Sequence, residues 1–307
     1  PAMPAALCVV LGVAGITSGS SKPWSWVAVL MMICLPWLGI KYVPLAAVLA
    51  IFLIWNKKSL HDLTLNLQLL ALVVSGVVYL VVHHRIYGSW TVYATGDHFV
   101  NSEWIVVGSS PDYAGRTRRL IGLIVDRRFG IAAWTPAYLA IPLVITRTIR
   151  RKDDHWQLMI TLCAVCWGIA TWVALTMHGW WWSGRQIVPI LPLIVVLLAV
   201  AADKHRRAFQ AVILTSLIGI FSWLWLVYET STGKHTLIVD FDRTTNPWYR
   251  FWRLSLPDHQ IMSTTDHVLT GIWTAAVVFG CWAIWTQWSP KNKSQSAIKI
   301  GASDDTR

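Results

Sequence analysis

The chain consists mostly of long apolar runs separated by short polar connections, and this pattern determines what it can fold into. A helix that crosses the hydrocarbon core of a bilayer needs about 20 apolar residues, within a range of roughly 17–25. Nine runs meet or approach this length, at 2–17, 24–40, 42–56, 66–84, 131–147, 156–177, 187–203, 208–228 and 267–288. We therefore predict an all-α fold: a polytopic transmembrane bundle of about nine helices.

The composition agrees with a membrane protein. Only 13% of the residues are charged, whereas soluble domains average about 25%. The 21 tryptophans indicate anchoring at membrane–water interfaces, where the indole ring and its N–H group are both satisfied. The net charge of +11 comes from short clusters that flank apolar runs. This arrangement is a topology signal and excludes a nucleic-acid surface, so membrane lipids are the expected partners.

The five cysteines all lie within apolar runs. Cys163 and Cys166 have CxxC spacing, but no second pair or histidine cluster accompanies them in that run. We interpret them as small residues of the membrane core and predict no metal site from them.

Basic residues in the connections predict the orientation. Lys57 and Lys58, the run 147–152, the run 204–207 and the run 291–293 fall on one side if all nine runs span. Cytoplasmic connections carry an excess of Lys and Arg, so this side is expected to be cytoplasmic, in a bacterial inner membrane. Residues 1–288 then form the transmembrane domain, with the N-terminus of the chain outside. Residues 289–307 form a polar cytoplasmic tail, predicted to be disordered.

The start of the sequence, PAMPAALCVV, has neither an initiator Met nor the basic segment of a signal peptide. It resembles the middle of a helix, and we expect the chain to be N-terminally incomplete.

The outer side receives the loops 85–130, 178–186 and 229–266. It holds 12 of the Lys and Arg residues, against 14 inside, so the clusters follow the positive-inside rule better than the totals do. Five arginines lie in the first long loop, namely Arg116, Arg118, Arg119, Arg127 and Arg128. Because the outer side usually carries fewer cations, this group of arginines suggests that an anion binds there.

The end of that loop, 115–130, predicts an amphipathic helix at the membrane surface. On a helical wheel Arg116, Arg119, Asp126 and Arg127 share one arc, and most of the apolar residues lie opposite. At headgroup level the arginines are positioned to bind phosphate oxygens in pairs. Two interpretations stay open: contacts with bulk lipid, or a specific site for a lipid phosphate or a substrate.

Candidate catalytic acids lie in the same loop. Asp97 and Glu103 are placed where a polar substrate reaches them, and either carboxylate is suited to act as a general base toward a sugar hydroxyl. Solvated loop acids are the alternative. The second long loop holds Asp240 and Asp242, a DxD pattern that is frequent by chance.

The loop 178–186, HGWWWSGRQ, joins two apolar runs. Arg185 lies at the start of the second run. A charged side chain at the edge of a membrane is interpreted as functional by default. Trp181 belongs either to an interfacial aromatic belt or to a stacking platform for a sugar or polyprenyl chain. His178 is a hydrogen-bonding group or a substrate contact.

Two longer stretches resemble a known family. LIGLIVDRRFGIAAWTPAYLAIPLV (120–144) and HGWWWSGRQIVPILPLIVVLLAV (178–200) are similar to the paired signatures of bacterial polytopic glycosyltransferases of the GT-C type. LPWLGIKYVPLAAVL (35–49) resembles the short helix pair of the same proteins. The resemblance spans about 35–203 and is carried by membrane-edge patterns.

The resemblance implies a transferase that uses a polyprenyl-phosphate-linked sugar donor and a glycan or protein acceptor at the outer face. Substrate contacts are then expected from Arg185, Trp181, His178, Arg116, Arg119, Asp126 and Arg127. Any requirement for a divalent metal is left open. In such families the catalytic acid usually follows the first transmembrane helix, and this chain has no long outer loop before residue 85. A transporter or flippase for a lipid-linked substrate and a non-catalytic membrane scaffold remain the alternative functions.

Overall fold

The chain folds into helices that pack side by side. The structure, a computed structural model, describes residues 1–18, 22–56, 62–88, 90, 112–174, 183–203, 206–234, 241 and 243–287. No strand occurs among these residues, which confirms the all-α prediction. The α-helices are α1 (Ala2–Thr17), α2 (Lys22–Leu38), α3 (Val43–Asn56), α4 (Leu63–Tyr87), α5 (Tyr113–Arg116), α6 (Arg119–Val125), α7 (Ile141–Arg151), α8 (Trp156–Gly168), α9 (Leu191–Asp203), α10 (Arg206–Ser231), α11 (Pro247–Trp252) and α12 (Thr264–Gln287).

Four helical segments in the described part of the chain are long and apolar enough to cross a membrane. They are α4, α8 with the π-helical turn Ile169–Val173 that continues it, α10, and α12. Shorter apolar helices correspond to four more of the predicted runs: α1, α2, α3 with the 3-10 turn Ile40–Tyr42, and α9 with the 3-10 turn Val188–Ile190. The faces of α10 and α12 that point away from the protein carry large apolar side chains such as Phe221, Trp223 and Phe279, as expected for contact with lipid.

The one remaining predicted run, 131–147, is not one continuous helix. It begins with two 3-10 turns, Ile131–Ala133 and Pro136–Ala140, before α7 starts at Ile141. Pro136 lacks an N–H group and disfavours helical geometry in the preceding residue; accordingly Thr135 is extended. The single helix predicted for this run is therefore divided at Pro136.

The predicted surface helix over 115–130 also differs. Helix α6 covers only seven residues, and its residues Leu123, Ile124 and Val125 are almost fully buried in the protein core. It packs against α12, the 3-10 turn at 131–133 and the π turn at 169–173. These three residues therefore contact protein, and Asp126 and Arg127 follow the helix in a turn.

The helices of the bundle end in two groups of residues, at its two opposite ends. At one end, which we call the basic end, Arg147 Nη1 donates to the Ala201 carbonyl and Asn56 donates to the Ile16 carbonyl. Arg206 begins α10 just after α9 ends there. The opposite end, which we call the loop end, gathers the residues around Lys41, Asp126 and Arg185 described below. The tail 289–307 lies outside the described residues.

Candidate functional site

Several predicted site residues lie outside the described part of the chain: Asp97, Glu103, His178, Trp181, Asp240 and Asp242. Their roles stay predictions. The described candidates, Arg116, Arg119, Asp126, Arg127 and Arg185, all lie at the loop end, in two clusters that differ in chemistry.

Arg116 and Arg119 bind the carboxyl end of the α8 segment. Arg116 Nη1 donates to the Trp172 carbonyl at 2.6 Å, and Arg119 Nη1 donates to the Ala174 carbonyl at 2.6 Å. These carbonyls end a helix, where cations offset the negative end of the helix dipole. Burial, with the neighbouring charges of Arg116 and Arg118, lowers the pKa of Arg119 to about 10, so it stays charged at neutral pH. The two guanidinium groups thus fasten α5 and α6 to the π turn.

The turn 126–130, which follows α6, is the structural centre of the loop end. Asp126 is 1% exposed. Its Oδ1 accepts from the backbone N–H groups of Arg128 and Phe129, at 2.9 and 2.7 Å. Its Oδ2 accepts from the backbone N–H and the Nδ1 of His259, at 3.0 and 3.1 Å. These bonds assign Asp126 a positioning role, and its predicted contact with substrate is untested.

Backbone carbonyls of the same turn hold two further segments. The Tyr249 hydroxyl on α11 donates to the Arg127 carbonyl at 3.0 Å, and the Ser183 hydroxyl donates to the Arg128 carbonyl at 2.5 Å. The Gly184 N–H donates to the Phe129 carbonyl at 3.3 Å. Gly184 has a φ of 75°, a region that favours glycine. The turn therefore fixes the start of the segment that carries Arg185.

Two salt bridges and one contact between a histidine and a carboxylate join this turn to the segment 256–266. Arg127 Nη2 lies 3.2 Å from Asp266, Arg128 Nε lies 3.7 Å from Asp258, and His259 Nδ1 lies 3.1 Å from Asp126. Arg127 also donates to the Leu256 carbonyl at 3.1 Å. Arg127 thus acts as a structural link in the described contacts.

Sequence reasoning missed His259, Asp258 and Asp266. One signal was present: Ser263 and Asp266 have the spacing of a capping box before an apolar run. The Ser263 N–H donates to Asp266 Oδ2 at 2.9 Å, and the Asp266 N–H is 3.3 Å from the Ser263 hydroxyl. The pairing of His259 with Asp126 had no such signal, because 133 residues separate them.

The second cluster contains Arg185, Lys41 and Tyr42, and we call it the Lys41–Arg185 site. Lys41 lies in the 3-10 turn between α2 and α3, and its Nζ donates to Gln186 Oε1 at 3.2 Å. Arg185 is exposed, and its charge lies close enough to Lys41 to repel it. Two cations held together in this way favour an anion between them. The turn at 40–42 lies within the stretch 35–49 that resembles a short helix pair, but its lysine was not predicted as a site residue.

Tyr42 adds a buried donor to this site. The residue is 2% exposed, and its hydroxyl has no hydrogen-bond partner among the described residues. Its ring centroid lies 5.2 Å from Lys41 Nζ. A buried hydroxyl left without a hydrogen-bond partner costs free energy. A ligand oxygen that accepts a hydrogen bond from Tyr42 is therefore favoured.

An apolar groove opens beside the loop end, and we call it the lateral groove. Its volume is about 460 Å³. It lies between α1, the segment 131–138, the segment 183–195 and α10. Ser222, 1% exposed and without a hydrogen-bond partner among the described residues, is one of its few polar groups. Such a groove is suited to an apolar chain with little hydrogen-bonding capacity.

Cys163 and Cys166 are buried free thiols on α8. Within the described ranges, no group of three or more His, Cys, Asp or Glu side chains is arranged to hold a metal ion.

We predict that Gly130→Ala destabilises the protein, whereas Gly76→Ala does not. A Cβ on Gly130 would approach the carbonyl oxygens of Asp126 and Ile124 to 2.6 Å, and because these are backbone atoms the turn itself would have to shift. The expected loss is about 1–3 kcal/mol. Gly76 lies in α4 with open space around it, so alanine there should be neutral or slightly stabilising. Unfolding in mixed detergent–SDS micelles measures both, and equal effects would contradict the packing described for the turn.

The chain was compared with known proteins, and no protein-family model, curated protein or solved structure matches it.

Proposed function

We propose that the protein is an integral membrane glycosyltransferase, similar to the GT-C type, that transfers a sugar from a polyprenyl-phosphate donor to an acceptor at the outer membrane face. The observation that carries the proposal is the Lys41–Arg185 site beside the lateral groove. A lipid-linked donor needs cations for its phosphate and an apolar channel for its chain, and both needs are met at the loop end.

In this proposal Lys41 and Arg185 bind the donor phosphate. Arg185 offers paired N–H donors, Lys41 offers a second charge, and Tyr42 offers a hydroxyl. The same groups stabilise the negative charge that develops on the phosphate when the bond to the sugar breaks. An ionised carboxylate acts as general base and removes the proton from the acceptor hydroxyl, and Asp97 and Glu103 remain the candidates in this sequence.

The lateral groove takes the first isoprenoid units of the donor. Ser183 and Val188, which border the groove, flank Arg185 in the sequence and connect the groove to the phosphate site. The remaining chain extends into the bilayer past α1 and α10.

We also propose the membrane orientation. Nine segments cross the membrane, counting 131–151 as a proline-divided crossing, and the basic end faces the cytoplasm. Arg147, Arg150, Arg151 and Lys152 at α7, with Arg206 and Arg207 at α10, then follow the positive-inside rule. The N-terminus of the chain and the Lys41–Arg185 site lie outside, in a bacterial inner membrane.

Release of free polyprenyl phosphate tests the function, because every sugar and acceptor pair gives this product. The protein in nanodiscs is incubated with polyprenyl phosphate that carries a radiolabelled hexose or pentose, together with a membrane extract as the source of acceptor. The proposal expects release that depends on both donor and protein. Donor binding without release, followed by movement of donor between leaflets, would favour a flippase instead.

We predict that Val195→Trp weakens binding of polyprenyl phosphate and that Val196→Trp does not. Val195 borders the lateral groove, whereas its neighbour Val196 does not, and both residues are 50% exposed. Indole at 195 fills the groove and displaces several isoprenoid carbons, each worth about 0.8 kcal/mol when buried. We expect at least about a tenfold loss of affinity, measured by native mass spectrometry. A short-chain phosphate should bind both variants equally, and a loss of its binding would contradict a purely steric effect on the chain.

A further inference from the structure

The segment 243–263, which precedes α12, lies alongside α10 and α12 and not beyond their ends. Trp225 Nε1 donates to the Thr245 hydroxyl at 3.3 Å, and Trp225 lies six residues before the end of α10, about 9 Å along the helix. Trp273 Nε1 donates to the Ser255 carbonyl at 2.9 Å. Trp273 lies nine residues after the start of α12, about 14 Å along that helix. The segment therefore returns along the two helices it lies between.

The length of α12 converts this position into a depth. Its 24 residues span about 36 Å, only slightly more than the roughly 30 Å of a hydrocarbon core. Helix side chains lean toward the N-terminal end of their helix, so the indole of Trp273 reaches back toward the start of α12 by up to about one turn, roughly 5 Å. Even with this correction, Ser255 lies below the level at which α12 enters the hydrocarbon.

The backbone of the segment is bonded as this depth requires. Irregular backbone occurs at membrane depth only where protein groups satisfy its polar atoms. Arg127 Nε donates to the carbonyls of Arg253 and Leu256, at 3.2 and 3.1 Å. The Arg127 N–H donates to the Pro257 carbonyl at 2.8 Å. Together with the bond to the Ser255 carbonyl, four carbonyls just after α11 have protein donors and do not depend on water.

One face of α11 fixes the segment to the protein. Tyr249 is fully buried, and its ring stacks on Trp134 with centroids 4.2 Å apart. Trp252 Nε1 donates to the Ala132 carbonyl at 3.1 Å. Trp134 and Ala132 belong to the first turns of the apolar run 131–147, so α11 lies level with the start of a predicted membrane crossing.

The opposite face of α11 and the turn after it is apolar and exposed. Phe251 and Leu254 are 69% and 75% exposed, and their spacing of three places them on the same side. At the same depth, the neighbours of Trp225 and Trp273 on the adjacent helices, Leu224 and Ile272, are also exposed and apolar. Arg250, exposed beside Phe251, has a side chain long enough to keep its charge at the headgroups.

We propose that the segment 243–263 is re-entrant: it dips into the membrane leaflet at the loop end, and Phe251 and Leu254 contact the acyl chains of phospholipids there. The lipid-facing surfaces of α10 and α12 then continue across α11. Since Tyr249 and Arg127 join this segment to the turn 126–130, the lipid also supports the turn that holds Ser183. The proposal depends neither on the transferase function nor on which end faces the cytoplasm.

Alkylation of single added cysteines tests the depth in nanodiscs. A charged, water-soluble maleimide should react at least about tenfold more slowly with Phe251→Cys and Leu254→Cys than with Ile261→Cys, because an apolar environment disfavours the reactive thiolate. Ile261 is the matched control: it is 79% exposed, but it lies only three residues before α12. Wild type supplies the background from the five native cysteines.

A phospholipid with a diazirine in the middle of its acyl chain identifies what covers the face, and this test uses the wild type. The proposal expects labels in 247–256 at a yield close to that of the lipid-facing part of α12, 268–279, and clearly above that of 259–263. Alkylation of Phe251→Cys and Leu254→Cys as fast as that of Ile261→Cys would place the face in water and overturn the proposal. Slow alkylation without acyl-chain labels in 247–256 would also overturn it, because protein would then cover the face.

Discussion

Arg185→Gln is expected to reduce the affinity for polyprenyl phosphate by about 10- to 100-fold. Hydrogen bonds to a charged group contribute about 1.5–3 kcal/mol, and each 1.4 kcal/mol corresponds to a factor of ten in affinity. Arg185 offers several such bonds at an exposed position next to Lys41. Titration of the lipid into protein in nanodiscs, followed by native mass spectrometry, measures the change. Arg185→Lys should recover part of the affinity, because it keeps the charge but not the paired donors.

Controls separate the phosphate from the chain and from general charge effects. Polyprenol, which has the same chain but no phosphate, should bind the wild type and Arg185→Gln equally. Arg118→Gln removes an exposed arginine at the same end, one that donates to the Gly115 carbonyl, and should change the affinity less than about twofold. A double-mutant cycle with Lys41→Gln should be non-additive, because both cations bind one phosphate. Strict additivity would place Lys41 and Arg185 in separate sites.

Asp126→Asn is expected to lower the free energy of unfolding by about 2–6 kcal/mol, because two buried donors lose their acceptor at a cost of about 1–3 kcal/mol each. An asparagine keeps one acceptor oxygen for the N–H groups of Arg128 and Phe129. Its amide N–H₂ then faces the two donors of His259, which at present bond to Asp126 Oδ2. Unfolding in mixed detergent–SDS micelles measures the loss.

The matched control for this substitution is Asp154→Asn. Asp154 lies in the exposed connection before α8, and its replacement should change the stability by no more than about 0.5 kcal/mol. If Asp126→Asn were equally mild while sugar transfer was abolished, Asp126 would be a substrate-binding or catalytic residue rather than the centre of the turn.

The helices were predictable to the extent that hydropathy alone determines them. The runs that became α4, α10 and α12 were located within a few residues, because a lipid-facing helix must be apolar over most of its surface. The segments 115–130 and 131–147 were not predicted correctly. In both, contacts with distant residues decide the local structure: Leu123, Ile124 and Val125 of α6 are covered by protein, and Pro136 divides the next run.

The candidate site was predictable in part. Arg185 was identified from its position at a membrane edge. Arg116 and Arg119 were assigned to phosphate, yet the structure directs both to the carbonyls that end the α8 segment. Lys41 was overlooked because one lysine in a short turn between two helices is a common surface feature. Its significance depends on Gln186 and Arg185, which lie about 145 residues away, and a single sequence contains no information on that pairing.

Photocrosslinking tests the central claim most directly. A polyprenyl phosphate with a diazirine in its first isoprenoid units is activated in nanodiscs that contain the protein, and the labelled peptides are identified by mass spectrometry. The proposal predicts labels at the lateral groove, in 131–138, 188–195 and 219–223, that excess unlabelled polyprenyl phosphate removes and that Arg185→Gln weakens. Labels spread evenly over the lipid-facing surfaces of α4, α10 and α12, unaffected by competitor, would contradict a built site for the lipid-linked donor.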